Sequence, residues 1–222
     1  MAETPPQTTY NLLILDESGS MGNVRELTVR GFNELVQTVQ GMARQFPAQR
    51  QVVSLVTFNS LGIREKLFLQ PAEALQPLAL ADFRPDASTP LLDAIGQSVG
   101  KLRQTLLSTG AANYQVLVTI LTDGEENASR EFSRAAVREL VTALETQNWT
   151  FTYLGTDHDV TAAADGLGIA ARMAFSKDPE KMNAMFAQER AARVQYNAKP
   201  AATRAKGKYF SLDDEIGEAP AR

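Results

Sequence analysis

The chain has 222 residues, of which 44% are apolar and 22% charged, with no cysteine and a formal net charge of -4. That length suits one domain with a sizeable core. The missing thiols exclude disulfides, thiolate metal sites and a cysteine nucleophile, and the acidic balance leaves no electrostatic footprint for nucleic acid.

Residues 1–9 are polar and proline-rich. They lack the basic start and apolar centre of a secretory signal and read as a short flexible leader. No apolar run approaches the ~20 residues of a membrane helix, so the expectation is a soluble, cytoplasmic protein. Tyr10 to Leu15 is an apolar run that reads as a buried strand, followed at once by Asp16-Glu17-Ser18-Gly19-Ser20-Met21-Gly22. One carboxylate and two hydroxyls thus alternate where a strand hands over to a helix. In an open α/β sheet this is where ligand sites collect. An all-oxygen set suits a hard cation and does not suit zinc.

From Val24 to about Phe46 the apolar residues Leu27, Phe32, Leu35, Val36, Val39 and Met42 recur at helical spacing, and Pro47 ends the helix. Gln51 to Phe58 is rich in β-branched residues and reads as a strand. Asn59 to Gly62 is a turn, and Ile63 to Leu69 alternates apolar and charged residues as an antiparallel edge strand does. Pro71 to Pro85 carries a short helical turn. Pro90 to about Leu107 reads as a helix, with Ser88 or Thr89 as its N-cap.

Tyr114 to Thr122 is the strongest strand pattern and is expected at the centre of the sheet, with Asp123 directly after it. A helix over Ser133 to Gln147, a strand over Trp149 to Leu154, a short helix over Val160 to Leu167, a last strand over Ile169 to Phe175 and a terminal helix from Pro179 to about Asn197 complete the order. This alternation predicts a mostly parallel α/β sheet covered on both faces. The domain is expected to span residues 10–198. Residues 199–222 form a mobile or docking tail, with basic Arg204, Lys206 and Lys208, the pair Tyr209-Phe210, and acidic Asp213-Asp214-Glu215.

Asp16, Ser18 and Ser20, then Thr89, then Asp123 come from three separate loops. Together they resemble the von Willebrand factor A (VWA) domain and its metal-ion-dependent adhesion site, whose motif is Asp-x-Ser-x-Ser, a distant Thr and a later Asp at a strand end. The surroundings, Ser88 to Ile95 and Leu121 to Glu125, resemble bacterial stand-alone members. The resemblance covers about Tyr10 to Phe175. It implies a doubly wound, Rossmann-like sheet of six strands with one antiparallel edge strand and helices on both faces. It also implies an Mg2+ or Mn2+ centre, with Ca2+ an option. In that centre Ser18 and Ser20 bind the metal directly, Thr89 binds it directly or through water, and Asp16 and Asp123 hold metal-bound waters.

Neutral hydroxyls leave the cation with much of its charge uncompensated, so an Asp or Glu of a protein partner can complete its shell. The expected function is therefore a metal-dependent protein-interaction module without catalytic residues. The resemblance suggests adaptors that work beside MoxR-type AAA ATPases or in stress responses.

Two alternatives stay open. One is a metal-dependent phosphoesterase; the other is self-assembly, with the acidic tail entering a neighbour's metal site. Neither Ser18 nor Ser20 has the Gly-x-Ser-x-Gly frame of a serine hydrolase, no Gly-x-x-x-x-Gly-Lys-Ser/Thr phosphate loop occurs, and no dinucleotide fingerprint opens the first helix. Asp93 is expected as a solvated or helix-stabilising residue. Glu125 and Glu126 are expected as rim charges, His158 as a surface loop residue and Trp149 as core.

Overall fold

Apolar runs become strands and amphipathic segments become helices in the expected alternation. The computed structural model describes residues 6–123, 126–155, 160–174, 178–199 and 209–210. β1 (Gln7–Asp16) leads through a 3-10 turn, Gly19–Val24, into α1 (Arg25–Gln45). The hairpin of β2 (Gln49–Asn59) and β3 (Gly62–Pro71) follows, and a short 3-10 turn, Ala72–Ala74, opens the climb to α2 (Leu91–Ser108). Then come β4 (Tyr114–Thr122), α3 (Arg134–Glu145), β5 (Trp149–Gly155), α4 (Val160–Gly166), β6 (Ala171–Ala174) and α5 (Pro179–Ala198). β1 begins three residues before its apolar run, and β6 is shorter than the sequence pattern suggests.

The six strands lie in the order β3-β2-β1-β4-β5-β6. All neighbours are parallel except β2 and β3. The antiparallel edge carries Arg64, Glu65 and Lys66, charges that discourage edge-to-edge pairing. Chain order reverses beside β1, whose neighbours are β2 and β4. The crevice above the carboxyl ends of β1 and β4 is therefore the topological switch point.

Period-two alternation splits the core in two. Leu12 and Ile14 of β1, with Val116, Val118 and Ile120 of β4, face α2, α3 and α4, and Trp149 is buried there as expected. Leu13 and Leu15, with Leu121 and Leu154, face α1 and the first half of α5. α1 and α5 meet so closely that a Cβ on Gly31 would lie 1.9 Å from Phe186 Cζ, which explains a glycine inside a helix.

The lower half of the α1/α5 face is polar. There Arg193 pairs with Glu189 at 2.7 Å. Arg193 also donates to Asn11 Oδ1 and Thr119 Oγ1, each at 2.9 Å. Asn197 Oδ1 accepts from Thr9 Oγ1 and Gln51 Nε2. Burial pulls the Arg193 guanidinium down, but the Glu189 charge and hydrogen bond, together with Tyr209 and Tyr196, outweigh it and hold the group protonated. Among the described residues no helix is long and apolar enough to cross a membrane.

Candidate metal centre

The parallel register brings the ends of β1 and β4 together: Leu15 lies beside Leu121, so Asp16 emerges next to Thr122. Asp16 is 0% exposed. Its Oδ1 accepts the Ser18 N–H at 2.7 Å and its Oδ2 accepts the Thr122 hydroxyl at 2.6 Å. Both oxygens are thus fixed before any ligand arrives. Burial pushes the Asp16 carboxyl up to about 6. The hydrogen bonds from Thr122 and Ser18 oppose that shift, and the nearby Asp123 charge adds to it.

The loop after Asp16 is clamped from two sides. The Glu17 N–H donates to Phe58 O, and the Glu17 carbonyl accepts from the Asp86 N–H and the Asn59 side chain. The Gly19 N–H donates to Ala87 O at 2.9 Å. A Cβ on Gly19 would sit 3.3 Å from that same oxygen, so the close approach favours glycine. The clamp aligns the two serines: Ser18 Oγ and Ser20 Oγ are 3.2 Å apart, and Ser20 Oγ donates to Asp123 Oδ1 at 2.8 Å. Ser18 and Asp16 are buried and Ser20 is exposed, so the oxygen cluster opens to solvent on one side.

Thr89 lies in the loop before α2, and its main chain, not a contact to the serines, is what the structure fixes. It is 2% exposed, and its main chain pairs in both directions with Asn127. Ala87, two residues earlier, accepts from Gly19. The expected cap of α2 by Ser88 or Thr89 is not made. The first helical donors are taken instead by the loop after β4: Leu92 N–H donates to Glu126 Oε2, and Asp93 N–H to Ser129 Oγ. Thr89 is therefore not used as a helix cap.

Two further expectations change for the same reason. Glu126 is no rim charge; it also accepts from the Ala128 and Ser129 N–H groups and from the Ser129 hydroxyl. Asp93 is buried rather than solvated. Its carboxylate accepts the N–H groups of Arg130, Glu131 and Phe132, and these bonds hold its pKa below the usual range although burial pulls it up. A loop that folds back from 37 to 39 residues away leaves no local signature in the sequence. Of the site residues not foreseen, Thr122 had one available signal, its place beside Asp16 once β1 and β4 are paired in parallel. Glu125 and His158 lie outside the described residues.

A model of the von Willebrand factor type A domain matches residues 12–195. The chain belongs to this family. No curated protein matches it in sequence. Among solved structures, this VWA domain resembles the pilus adhesin SpaC from Lactobacillus rhamnosus GG in its open conformation, with TM-score 0.59 and 14% identity over 85% of this chain and 30% of that one. It also resembles the manganese-loaded TRAP protein of Plasmodium vivax, with TM-score 0.51 and 16% identity over 82% and 72%. A third likeness is to the SpRpn10 VWA domain, with TM-score 0.53 and 10% identity over 82% and 94%. The chain spans less than half the length of the adhesin and of the mussel byssus proximal thread matrix protein 1. At such identities these likenesses concern the fold.

The donor set of this VWA domain can be tested against a divalent cation. Neighbouring ligands of an octahedral ion with oxygens at about 2.0–2.1 Å are about 2.9 Å apart. The Ser18–Ser20 separation, 3.2 Å, lies close to that edge length, and the 2.8 Å hydrogen bond from Ser20 to Asp123 orients the second hydroxyl. Among the described residues no group of three or more His, Cys, Asp or Glu side chains gathers as a metal site. What gathers is hydroxyls with two carboxylates, and that chemistry fits a hard cation that keeps waters in its shell.

Proposed function

We propose that this VWA domain is a divalent-metal-dependent protein-interaction module of a cytoplasmic, bacterial-type protein. Its metal centre is built from Asp16, Ser18, Ser20, Thr89 and Asp123. The observation that carries the reading is the run of oxygens from Ser18 through Ser20 to Asp123, spaced at 3.2 and 2.8 Å at the switch point.

Ser18 and Ser20 present their hydroxyls to the ion. Asp123 orients Ser20 by accepting its hydrogen bond, and Asp16 fixes the loop through the Ser18 N–H and the Thr122 hydroxyl. Thr89 contributes directly or through a water. Mg2+ or Mn2+ supplies the positive charge that draws a partner's carboxylate in a charge-assisted contact. VWA domains are in general interaction modules, which agrees with a non-enzymatic role. An adaptor beside a MoxR-type ATPase, or in a stress response, is the setting this reading favours.

Calorimetric titration with Mg2+ tests it. The wild-type chain takes up one equivalent. The Asp16→Ala/Ser18→Ala variant takes up none while keeping its circular dichroism spectrum. The same heat from both proteins overturns the reading.

A further inference from the structure

The acids of the expected tail, Asp213, Asp214 and Glu215, lie outside the described residues; the rim of the metal centre beside β2 does not. Three large apolar side chains are exposed among the described residues: Leu61 and Leu107, each at 68%, and Leu80 at 40%. Leu107 lies near the end of α2, about 24 Å along the helix from Leu91 and so far from the metal centre. Leu61 stands at the opposite end of the sheet. A single exposed leucine is ordinary on a protein surface. What distinguishes Leu61 is how little its turn needs it and where that turn is held.

Asn59 pairs with Gly62 across the β2–β3 hairpin, so Ser60 and Leu61 form a two-residue turn. Gly, Asn, Asp and Ser dominate such turns. The Leu61 N–H donates to Asn59 Oδ1 at 3.0 Å, which satisfies the turn through the main chain. The Leu61 side chain joins none of the apolar clusters of the domain. A polar residue would serve the turn as well, so the leucine departs from local turn chemistry without a gain in packing.

The turn is stitched to the loops that carry the proposed metal residues. In the parallel register of β1 and β2, Asp16 lies beside Phe58, three residues before Leu61. The Ser60 N–H donates to Ser88 O at 2.9 Å, and the Ser88 N–H donates back to Ser60 Oγ at 3.0 Å. Ser88 directly precedes Thr89. Along that path the Cα atoms of Leu61 and Thr89 are at most about 14 Å apart, a span that four extended residues cover. Ala87, next to Ser88, accepts the Gly19 N–H, so residues 87–88 bind the serine loop and the hairpin tip at once. Arg64, three residues beyond Leu61, pairs with Glu17 at 3.4 Å. The acid next to Asp16 is thus compensated on the side from which an acidic partner meets the hairpin.

We infer that Leu61 is a specificity contact for the partner of the metal centre: the partner presents an acidic side chain to the cation and, two to four residues away along an extended segment, a large apolar side chain that packs on Leu61. This rests on the metal-centre reading above and names the partner's chemistry. The carboxylate gives the contact its metal dependence, and the apolar residue selects among acidic segments. Covering a leucine that is two-thirds exposed is worth about tenfold in Kd.

The probe is a bead-bound synthetic peptide library with one fixed Asp and four randomised positions on either side. Beads are selected for binding the full-length chain in Mg2+ and for releasing it in EDTA. The wild-type chain is expected to enrich Leu, Ile, Met or Phe two to four positions from the fixed Asp. Leu61→Asn, which suits the turn, is expected to lose that enrichment and to bind a selected peptide about tenfold more weakly. The same variant should take up Mg2+ by calorimetry as wild type does. Leu107→Asn, at the equally exposed leucine far from the centre, is expected to keep the wild-type preference. Retained beads without apolar enrichment, or an enrichment that survives in Leu61→Asn, overturn the inference and leave the metal-centre reading standing. So does Mg2+ uptake with no bead retained. Absence of Mg2+ uptake by the wild-type chain removes both. A mass in light scattering that rises with concentration, and that falls in Leu61→Asn, assigns the leucine to contact between copies and overturns the inference.

Discussion

Asp16 shows how burying one carboxylate costs the folded protein stability, a cost that the proposed cation would offset. Its carboxyl is raised from 3.8 to about 6 by burial. Because the folded-state pKa lies above the unfolded one, the folded protein binds the proton more tightly. The penalty for the charged form is full above pH 6 and fades as pH falls from about 6 to about 4. A shift of this size corresponds to about 3 kcal/mol. The Asp16→Asn variant is therefore expected to be more stable than wild type in EDTA at pH 7, by up to about that amount, and to lose its advantage by pH 4. Urea unfolding at the two pH values measures the difference, and equal curves at pH 7 reject the account. A divalent ion competes with the same proton, so Mg2+ affinity should weaken as pH drops below 6. At this scale Glu126 takes the capping role that local pattern gives to Ser88 or Thr89. The cap comes from Glu126 and Ser129 in a distant loop, and Thr89, directly before Pro90, makes no cap.

Among the elements, α5 is the one whose packing the pattern least anticipates. Its first half buries Met182, Met185 and Phe186, as an amphipathic helix does. Its second half buries Glu189, Arg193 and Asn197 against Thr9, Asn11, Gln51 and Thr119. Removing one member of a buried ion pair leaves an uncompensated charge and costs about 3–5 kcal/mol, whereas removing both costs less than the sum. Glu189→Ala and Arg193→Met should each be strongly destabilising, and the double variant should lie well above the additive expectation in denaturant unfolding. Strict additivity would show that the pair is not coupled. The network also fixes the register of α5, because a shift along the helix would set Arg193 against apolar Leu13 or Leu117 rather than against Asn11 and Thr119.

On the scale of the whole molecule, the proposed metal centre draws on three loops distant in sequence, so a cation bound there would stabilise the fold that assembles them. Mg2+ at about 100 times its Kd adds about 2.7 kcal/mol. For a chain of this length that is worth about 5–10 °C in Tm. Differential scanning calorimetry should find such a rise in wild type and none in the Asp16→Ala/Ser18→Ala variant. An equal rise in both would move the ion elsewhere. The phosphoesterase alternative has its own test, in which Mg2+-dependent turnover of a simple phosphoester vanishes in Asp123→Ala. The interaction reading expects no turnover.

The amino-acid sequence by itself determined the alternation of strands and helices, the antiparallel edge and the five candidate metal residues in their loops. These follow from near-neighbour physics: side-chain periodicity, turn chemistry, and polar residues that interrupt apolar runs at strand ends. Tertiary structure alone decided that Thr122 braces Asp16, that Asp93 and Glu126 fasten the loop over α2, that α5 rests on a polar seat, and that Tyr209 and Phe210 come back to the sheet. Each of these joins residues far apart along the chain. Such contacts depend on where strands and loops meet after folding, and a local pattern carries no record of that.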